Sequence, residues 1–183
     1  LGVDDIRNHV ILTPSDPDIT YDDDPLRILR CVRFASRFGW EISAETYLGM
    51  IRNVSRLSII TSERIREELF KMLTGPRPVM AMELLRNTGA MHYVIPEFDA
   101  SFDMTQNEYH SGTVWEHTLA VLGGVVGSNI EICLAALLHD IGKTVTRTES
   151  EGKVHFIEHE AAGARIAETI MRRLHCSNEF IKH

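Results

Sequence analysis

Leu137-Leu138-His139-Asp140-Ile141-Gly142-Lys143 sets an imidazole beside a carboxylate at the end of a run, Ile130 to Leu138, that is apolar except for Glu131. A segment with no polar face belongs inside a domain, and the run predicts a buried helix over 130–140. Burial makes a charged pair at its end costly unless something compensates it. Within a regular helix neighbouring side chains diverge by about 100° and cannot share one ion, but at a terminus the backbone can turn away and let them converge. Gly142 is where such a turn is expected. Outward from there, His117 lies upstream on an amphipathic segment with Val114, Leu119, Val121 and Leu122, while His155 and His159 follow downstream. Several imidazoles thus surround one carboxylate, a donor set that suits zinc, iron, manganese or magnesium. A single histidine near a helix C-terminus more commonly serves the helix dipole or a backbone hydrogen bond, so for His139 alone that simpler role stays open.

The 183 residues are 44% hydrophobic and 25% charged, the balance of a globular chain with room for one large domain or two small ones. No apolar run reaches membrane-spanning length, and Leu1-Gly2-Val3-Asp4-Asp5 lacks the basic and apolar regions of a signal peptide. A cytoplasmic location and no membrane partner are therefore expected. Cys31, Cys133 and Cys176 are odd in number and far apart, and they read as buried thiols, not as a disulfide framework or a CxxC metal site. The net charge of −7 argues against a generic nucleic-acid binder, yet it hides an asymmetry. Residues 1–24 carry seven acids and one arginine, whereas residues 25–77 carry ten basic residues and five acidic ones. That local excess suits phosphate, and equally suits a solvated helix surface.

The opening segment, with Pro14, Pro17 and Asp22-Asp23-Asp24, reads as loop, the tail of something upstream. Helix then dominates. Asp24-Pro25 pairs a capping carboxylate with a first-turn proline, and the helix it starts should run to Phe38 and stop at Gly39. Further helices are expected near 44–54, 62–73, 77–88, 113–127, 130–140 and 159–174. Val145 to Phe156, with a turn at Glu149 to Gly152, suggests a short hairpin. The chain is expected to be all-α, with a boundary in the polar stretch Asp99 to Gly112.

On a helical wheel from Pro25 to Phe38, Ile28, Cys31, Val32, Phe34, Ala35 and Phe38 form a wide apolar arc, and Arg30, Arg33 and Arg37 share the opposite edge. Arg27 falls among the apolar residues, one turn after Asp24, so guanidinium and carboxylate should sit together. An N-cap with an adjacent salt bridge and a ligand-reading pair both fit that placement.

Two motifs carry a resemblance. Asp23-Asp24-Pro25-Leu26-Arg27-Ile28-Leu29-Arg30-Cys31-Val32-Arg33-Phe34-Ala35 resembles the neck signature (E/D)DxxRxLRxxRFA of class II tRNA nucleotidyltransferases and bacterial poly(A) polymerases. Glu63-Arg64-Ile65-Arg66-Glu67-Glu68-Leu69-Phe70-Lys71-Met72-Leu73 is similar to a second element of that family, ERxRxELxKxL. Many bacterial members carry an HD domain after the neck, and His117, His139 and Asp140 resemble the first three positions of the HD pattern H…HD…D. His159, in Glu158-His159-Glu160, matches an extra histidine of many HD proteins.

The resemblance implies a helical neck at 25–98 and a helical HD-type domain with a short β-hairpin at 99–183. It reads 1–24 as a linker from an upstream polymerase head and the HD domain as cut short, since the last HD aspartate should come from a later helix. It assigns base reading to Asp24 and Arg27, and neck support or RNA phosphate contact to Arg30, Arg33, Glu63, Arg64 and Glu67. His117, His139, Asp140 and His159 would hold a divalent metal, one of magnesium, manganese, nickel, iron or zinc, with Lys143 at a substrate phosphate. A carboxylate accepting from an exocyclic amine and a guanidinium donating to ring acceptors would favour cytosine and adenine. The parent would use CTP and ATP, with magnesium in the head, to extend the 3′ end of tRNA or another RNA. No catalytic residue for nucleotidyl transfer is expected in 1–183, because neither the glycine-serine motif nor the paired aspartates of the head precede Asp24. Two other readings remain: a metal-dependent HD phosphohydrolase on a helical scaffold, and a non-enzymatic RNA binder.

Overall fold

Asp16 and Asp24 organise the front of the chain through their side chains. The computed structural model describes residues 2–105, 112–150 and 153–182, which divide into two units, 1–94 and 95–183. The first opens with α1 (Val3–Arg7), β1 (Val10–Ile11) and α2 (Pro17–Asp23). The expectation of a loop before Asp24 is corrected here, for Pro17 is a helix start and not a breaker. The Asp16 carboxylate accepts from the backbone N–H groups of Asp18 and Ile19 at 2.8 and 3.4 Å, and proline in the first turn sacrifices no hydrogen bond. Thr20 and Tyr21 are then buried, against α4 (Ala44–Asn53).

Asp24 ends α2 and caps α3 (Leu26–Phe38), its Oδ1 accepting from the Leu26 N–H at 3.2 Å. Gly39 closes α3 in the left-handed conformation, φ +70°, with its N–H donating to the Ala35 carbonyl at 2.8 Å. The following residues form β2 (Glu41–Ile42), parallel to β1. Ile28, Leu29, Val32 and Ala35 are fully buried where α3 meets α5 (Ser62–Leu73) and α6 (Pro78–Asn87). Phe34 and Phe38, placed in the apolar arc from sequence, are instead exposed. The apolar arc is wider than the face that α5 and α6 cover, so its edge stays at the surface. A 3₁₀ segment, Val54–Ile59, links α4 to α5, and the unit closes with α7 (Met91–Val94).

The second unit begins at Ile95, upstream of the polar stretch expected to hold the boundary; residues 106–111 of that stretch lie outside the described residues. A 3₁₀ segment, Pro96–Ser101, presents Phe98 to Trp115 at 5.2 Å between ring centres, and Phe102 approaches the same indole at 5.0 Å. α8 (Val114–Gly124) starts at a capping box: Thr113 Oγ1 accepts from the Glu116 N–H at 3.1 Å, and Glu116 Oε2 accepts from the Thr113 N–H at 2.7 Å. α9 (Ile130–Leu138) is capped by Asn129 and buries Cys133, Leu134, Ala136, Leu137 and Leu138. α10 (Lys143–Thr146) takes the residues expected to open the hairpin. β3 (Arg147–Ser150) and β4 (Lys153–Phe156) pair antiparallel, with Arg147 opposite Phe156 and Ser150 opposite Lys153. Glu151 and Gly152 of the expected turn lie outside the described residues.

α11 (His159–Arg173) and α12 (Asn178–Lys182) complete the unit. Arg173 ties α11 to the 3₁₀ segment through two hydrogen bonds to Glu97, 2.6 and 2.8 Å. Burial raises the Glu97 carboxyl, but the hydrogen bond and charge of Arg173 together with a backbone hydrogen bond hold the group below the usual carboxylate range. The chain is therefore all-α, with two short two-stranded sheets among the described residues. Among the described residues no helix is long and apolar enough to cross a membrane. Cys31 and Cys133 are buried thiols as expected, whereas Cys176 is only partly covered.

Candidate functional site

In the second unit α9 does not turn away after Leu138. It tightens into successive i→i−3 hydrogen bonds, Ile141 to Leu138 at 3.1 Å and Lys143 to Asp140 at 3.0 Å. Gly142, expected as the turn, is right-handed at φ −66°. Its lack of a side chain serves close approach instead: an added Cβ would stand 2.0 Å from the His159 carbonyl oxygen and 2.5 Å from the Gly163 nitrogen. Contact of backbone with backbone is what brings the first turn of α11, and His159 with it, up to Asp140.

The His139 Nδ1 lies 2.8 Å from the Ala136 carbonyl, which turns Nε2 toward Asp140 Oδ2 at 3.2 Å. His117 Nε2, from α8, reaches the same oxygen at 3.5 Å, and His159 Nε2 lies 3.8 Å from Oδ1. His159 repeats the arrangement of His139, its Nδ1 2.8 Å from the Phe156 carbonyl. A backbone carbonyl that accepts from Nδ1–H leaves the Nε2 lone pair for an ion, the usual support behind histidine ligands. The ligand atoms of His117, His139 and Asp140 all lie within 4.8 Å of one another. This donor set, two imidazoles and a buried carboxylate with a third imidazole beside it, fits a divalent metal. Lys143 Nζ stands 2.7 Å from Asp140 Oδ2 and is itself nearly buried. Burial raises the Asp140 carboxyl, but hydrogen bonds from His139 and Lys143 prevail and hold it well below the usual carboxylate range. The same Asp140 hydrogen bond raises the His139 imidazole above its ordinary value. These residues line a cleft of about 470 Å³ whose far wall is β4, with His155 on it but outside the three-residue cluster.

The second candidate site lies in the first unit, at the junction of α2 and α3. Arg27 does not pair with Asp24. Its Nη2 is 2.7 Å from Asp23 Oδ2, and Nη1 donates to the Thr20 carbonyl at 3.3 Å. Asp24, facing the other way as a cap, accepts from Arg64 at 3.3 Å and lies 3.8 Å from Arg30. Arg64 thus reaches across to α3. The resemblance grouped Arg64 with Glu63 and Glu67 as neck support and did not indicate this contact with Asp24. Both members keep capacity in hand, since a carboxylate offers about four acceptor sites and a guanidinium five donors.

Sequence reasoning also missed Glu68. Glu67 is exposed, while Glu68 is 4% exposed and accepts from Arg33 Nε, with Lys71 Nζ at 3.4 Å. The signal was present: Ile65, Glu68, Leu69 and Met72 share the buried face of α5, so a carboxylate at that position needs a partner. Arg30 lies within 4.0 Å of Glu68 and joins it to Asp24. Glu68→Gln keeps the shape but removes the charge that Arg33 answers, and should cost about 1.5 kcal/mol. Urea unfolding with an unchanged midpoint would refute that role.

Residues 39–102 match the family described as the probable RNA and SrmB-binding site of polymerase A, and residues 108–182 match the HD domain. The multifunctional CCA protein of Aliivibrio salmonicida is 34% identical over 188 residues, covering 98% of this chain and 45% of that protein. The chain therefore spans a little under half the length of the curated relatives it matches. Two solved structures share the fold along 99% of the chain and 38% of their own. They are the Bacillus stearothermophilus CCA-adding enzyme in complex with CTP (22% identity, TM-score 0.59) and the Thermotoga maritima CCA-adding enzyme complexed with tRNA (19%, 0.61). On these grounds the chain is homologous along nearly its whole length to the multifunctional CCA proteins, and it joins a polymerase-A-type RNA-binding region to an HD domain.

Proposed function

We propose that this chain supplies the base-selecting neck, 25–98, and an HD domain, 99–183, of a cytoplasmic enzyme that adds nucleotides from CTP and ATP to the 3′ end of tRNA. The observation that carries the reading is the anchoring of Asp24 and Arg27 from behind. Asp24 is held by the Leu26 N–H and Arg64, Arg27 by Asp23 and the Thr20 carbonyl, and each retains unused hydrogen-bonding capacity. A pair fixed in this way can test the donor and acceptor pattern of a base, because neither side chain is free to follow a wrong one. Arg30, Arg33 and Glu68 brace the helix that carries them. The nucleotidyl-transfer carboxylates belong to sequence outside 1–183, and solved relatives that hold CTP or tRNA support the substrate classes. Poly(A) synthesis is the related alternative within this reading. In the full-length protein, Arg27→Ala should relax selection so that UTP or GTP incorporation rises at least about tenfold relative to CTP, the loss of one charged hydrogen bond. Unchanged ratios among the four triphosphates would overturn the assignment.

A second activity, phosphoester hydrolysis in the second unit, is favoured by the cleft that gathers His117, His139, Asp140 and Lys143. A divalent metal held by His117, His139 and Asp140, with His159 beside it, would supply Lewis acidity and an activated water there. Lys143, paired to Asp140 at the same cleft, would offset phosphate charge.

A further inference from the structure

Four rings at the surface of the first unit are unexplained by base selection. Phe34 and Phe38 are 38% and 46% exposed, and they share one face of α3 with Arg27 and Arg30, at steps of three, four and four residues. The planes of Phe34 and Phe38 are 4° apart with centres separated by 6.0 Å. Past the turn at Gly39, Trp40 comes 5.0 Å from Phe38, and His9 stacks on Trp40 at 5.2 Å with planes 22° apart. The Arg33 guanidinium stands 4.1 Å from the Phe34 ring centre. Arg37 and Arg77 flank the row, joined by a hydrogen bond from Arg77 Nη1 to the Arg37 carbonyl at 3.2 Å, and both side chains are exposed. Among the described residues neither has a carboxylate partner.

A row one ring wide, bordered by exposed guanidinium groups, puts aromatic rings and positive charge together at the surface. That is the chemistry of single-stranded nucleic-acid binding, in which bases stack on aromatic rings and arginines meet the backbone. An apolar protein surface would gain from the rings but would desolvate the arginines without answering them. From Arg27 to Phe38 the helix rises roughly 16 Å, the length of about five nucleotides at roughly 3.4 Å each. We propose that His9, Trp40, Phe38 and Phe34 form a stacking platform for unpaired nucleotides of the RNA 3′ end, with Arg37 and Arg77 on their phosphates. The platform rests on the reading of this chain as part of an RNA-end enzyme, and it adds a contact distinct from Asp24 and Arg27.

The two tryptophans make the test direct, since Trp115 is fully buried in the second unit and Trp40 lies in the platform. A short single-stranded RNA ending in ACC, titrated into the 183-residue chain, should quench Trp40 emission, and a blunt RNA duplex of the same sequence should not. Phe38→Leu keeps the apolar bulk without the π face and should weaken binding about tenfold with an unchanged salt dependence. Phe38→Tyr should restore it. Replacing Arg37 and Arg77 by alanine should flatten the slope of log K against log salt by about 1.4. Absence of RNA binding, binding that leaves Trp40 unquenched, or Phe38→Leu binding at full affinity would each overturn the platform. So would burial of Trp40 by a second copy of the chain, seen as a concentration-dependent emission shift with dimer sedimentation. Base selection by Arg27 is scored by triphosphate ratios in the full-length protein, so RNA bound without Trp40 sinks the platform and leaves that reading standing.

Discussion

Asp140→Asn should weaken divalent-ion binding by roughly a thousandfold, well beyond the tenfold to hundredfold that follows loss of an outer support. The substitution keeps the shape of the side chain but removes the carboxylate on which, among the described residues, His117, His139 and His159 converge. Titration calorimetry with manganese, nickel and zinc measures the effect directly. A second readout is thermal: at a hundredfold excess over the dissociation constant, an ion that binds only the folded chain adds about 2.7 kcal/mol, and the variant should lose that increment. The metal-free variant should also be less stable than the parent, because the nearly buried Lys143 loses its ion pair with Asp140. Equal affinity for all three ions in parent and variant would remove Asp140 from the metal centre.

The largest stability loss is expected from Gly142→Ala. The added methyl group would meet the His159 carbonyl oxygen at 2.0 Å and the Gly163 nitrogen and Cα at 2.5 and 2.9 Å. All three are backbone atoms, so relief requires moving α11 as a whole. Overpacking of this kind costs roughly 3 kcal/mol, which for a domain of this size lowers the melting temperature by about 15 °C. His159 would be carried away from Asp140, while His117 and His139 keep their positions. Gly163→Ala is the internal control: its Cβ would meet Gly142 nitrogen at 3.3 Å, tight but tolerable, and its effect should be much smaller. Equal melting temperatures for the two variants would show that the contact at Gly142 does not hold the site together.

The helices that were legible in the sequence share a property: their signals are local. Asp24-Pro25 and Gly39 bracket α3, and the period of Ile65, Leu69 and Met72 marks α5, because caps and amphipathic faces are settled within a few residues. α2 was missed although its capping aspartate and proline were in plain sight, since Pro17 can equally start a helix or interrupt a loop. Only the burial of Tyr21 against α4 distinguishes the two. The exposure of Phe34 and Phe38 was likewise out of reach, because a wheel shows which residues are apolar and not how much of the circumference neighbours cover.

The sequence by itself determined the all-α architecture, the helices α3 to α6, α8, α9 and α11, and the residue types gathered in the second unit's cleft, His117, His139, Asp140 and His159. Side-chain chemistry and periodicity are properties of the chain. Tertiary structure alone decided the partners: Arg27 to Asp23 and not Asp24, Arg64 to Asp24 across forty residues, Glu68 to Arg33, and His159 to Asp140 through the close approach at Gly142. A guanidinium or an imidazole reaches several carboxylates at similar local cost, and the choice among them is made by how closely two helices pack, a distance no single stretch of sequence contains.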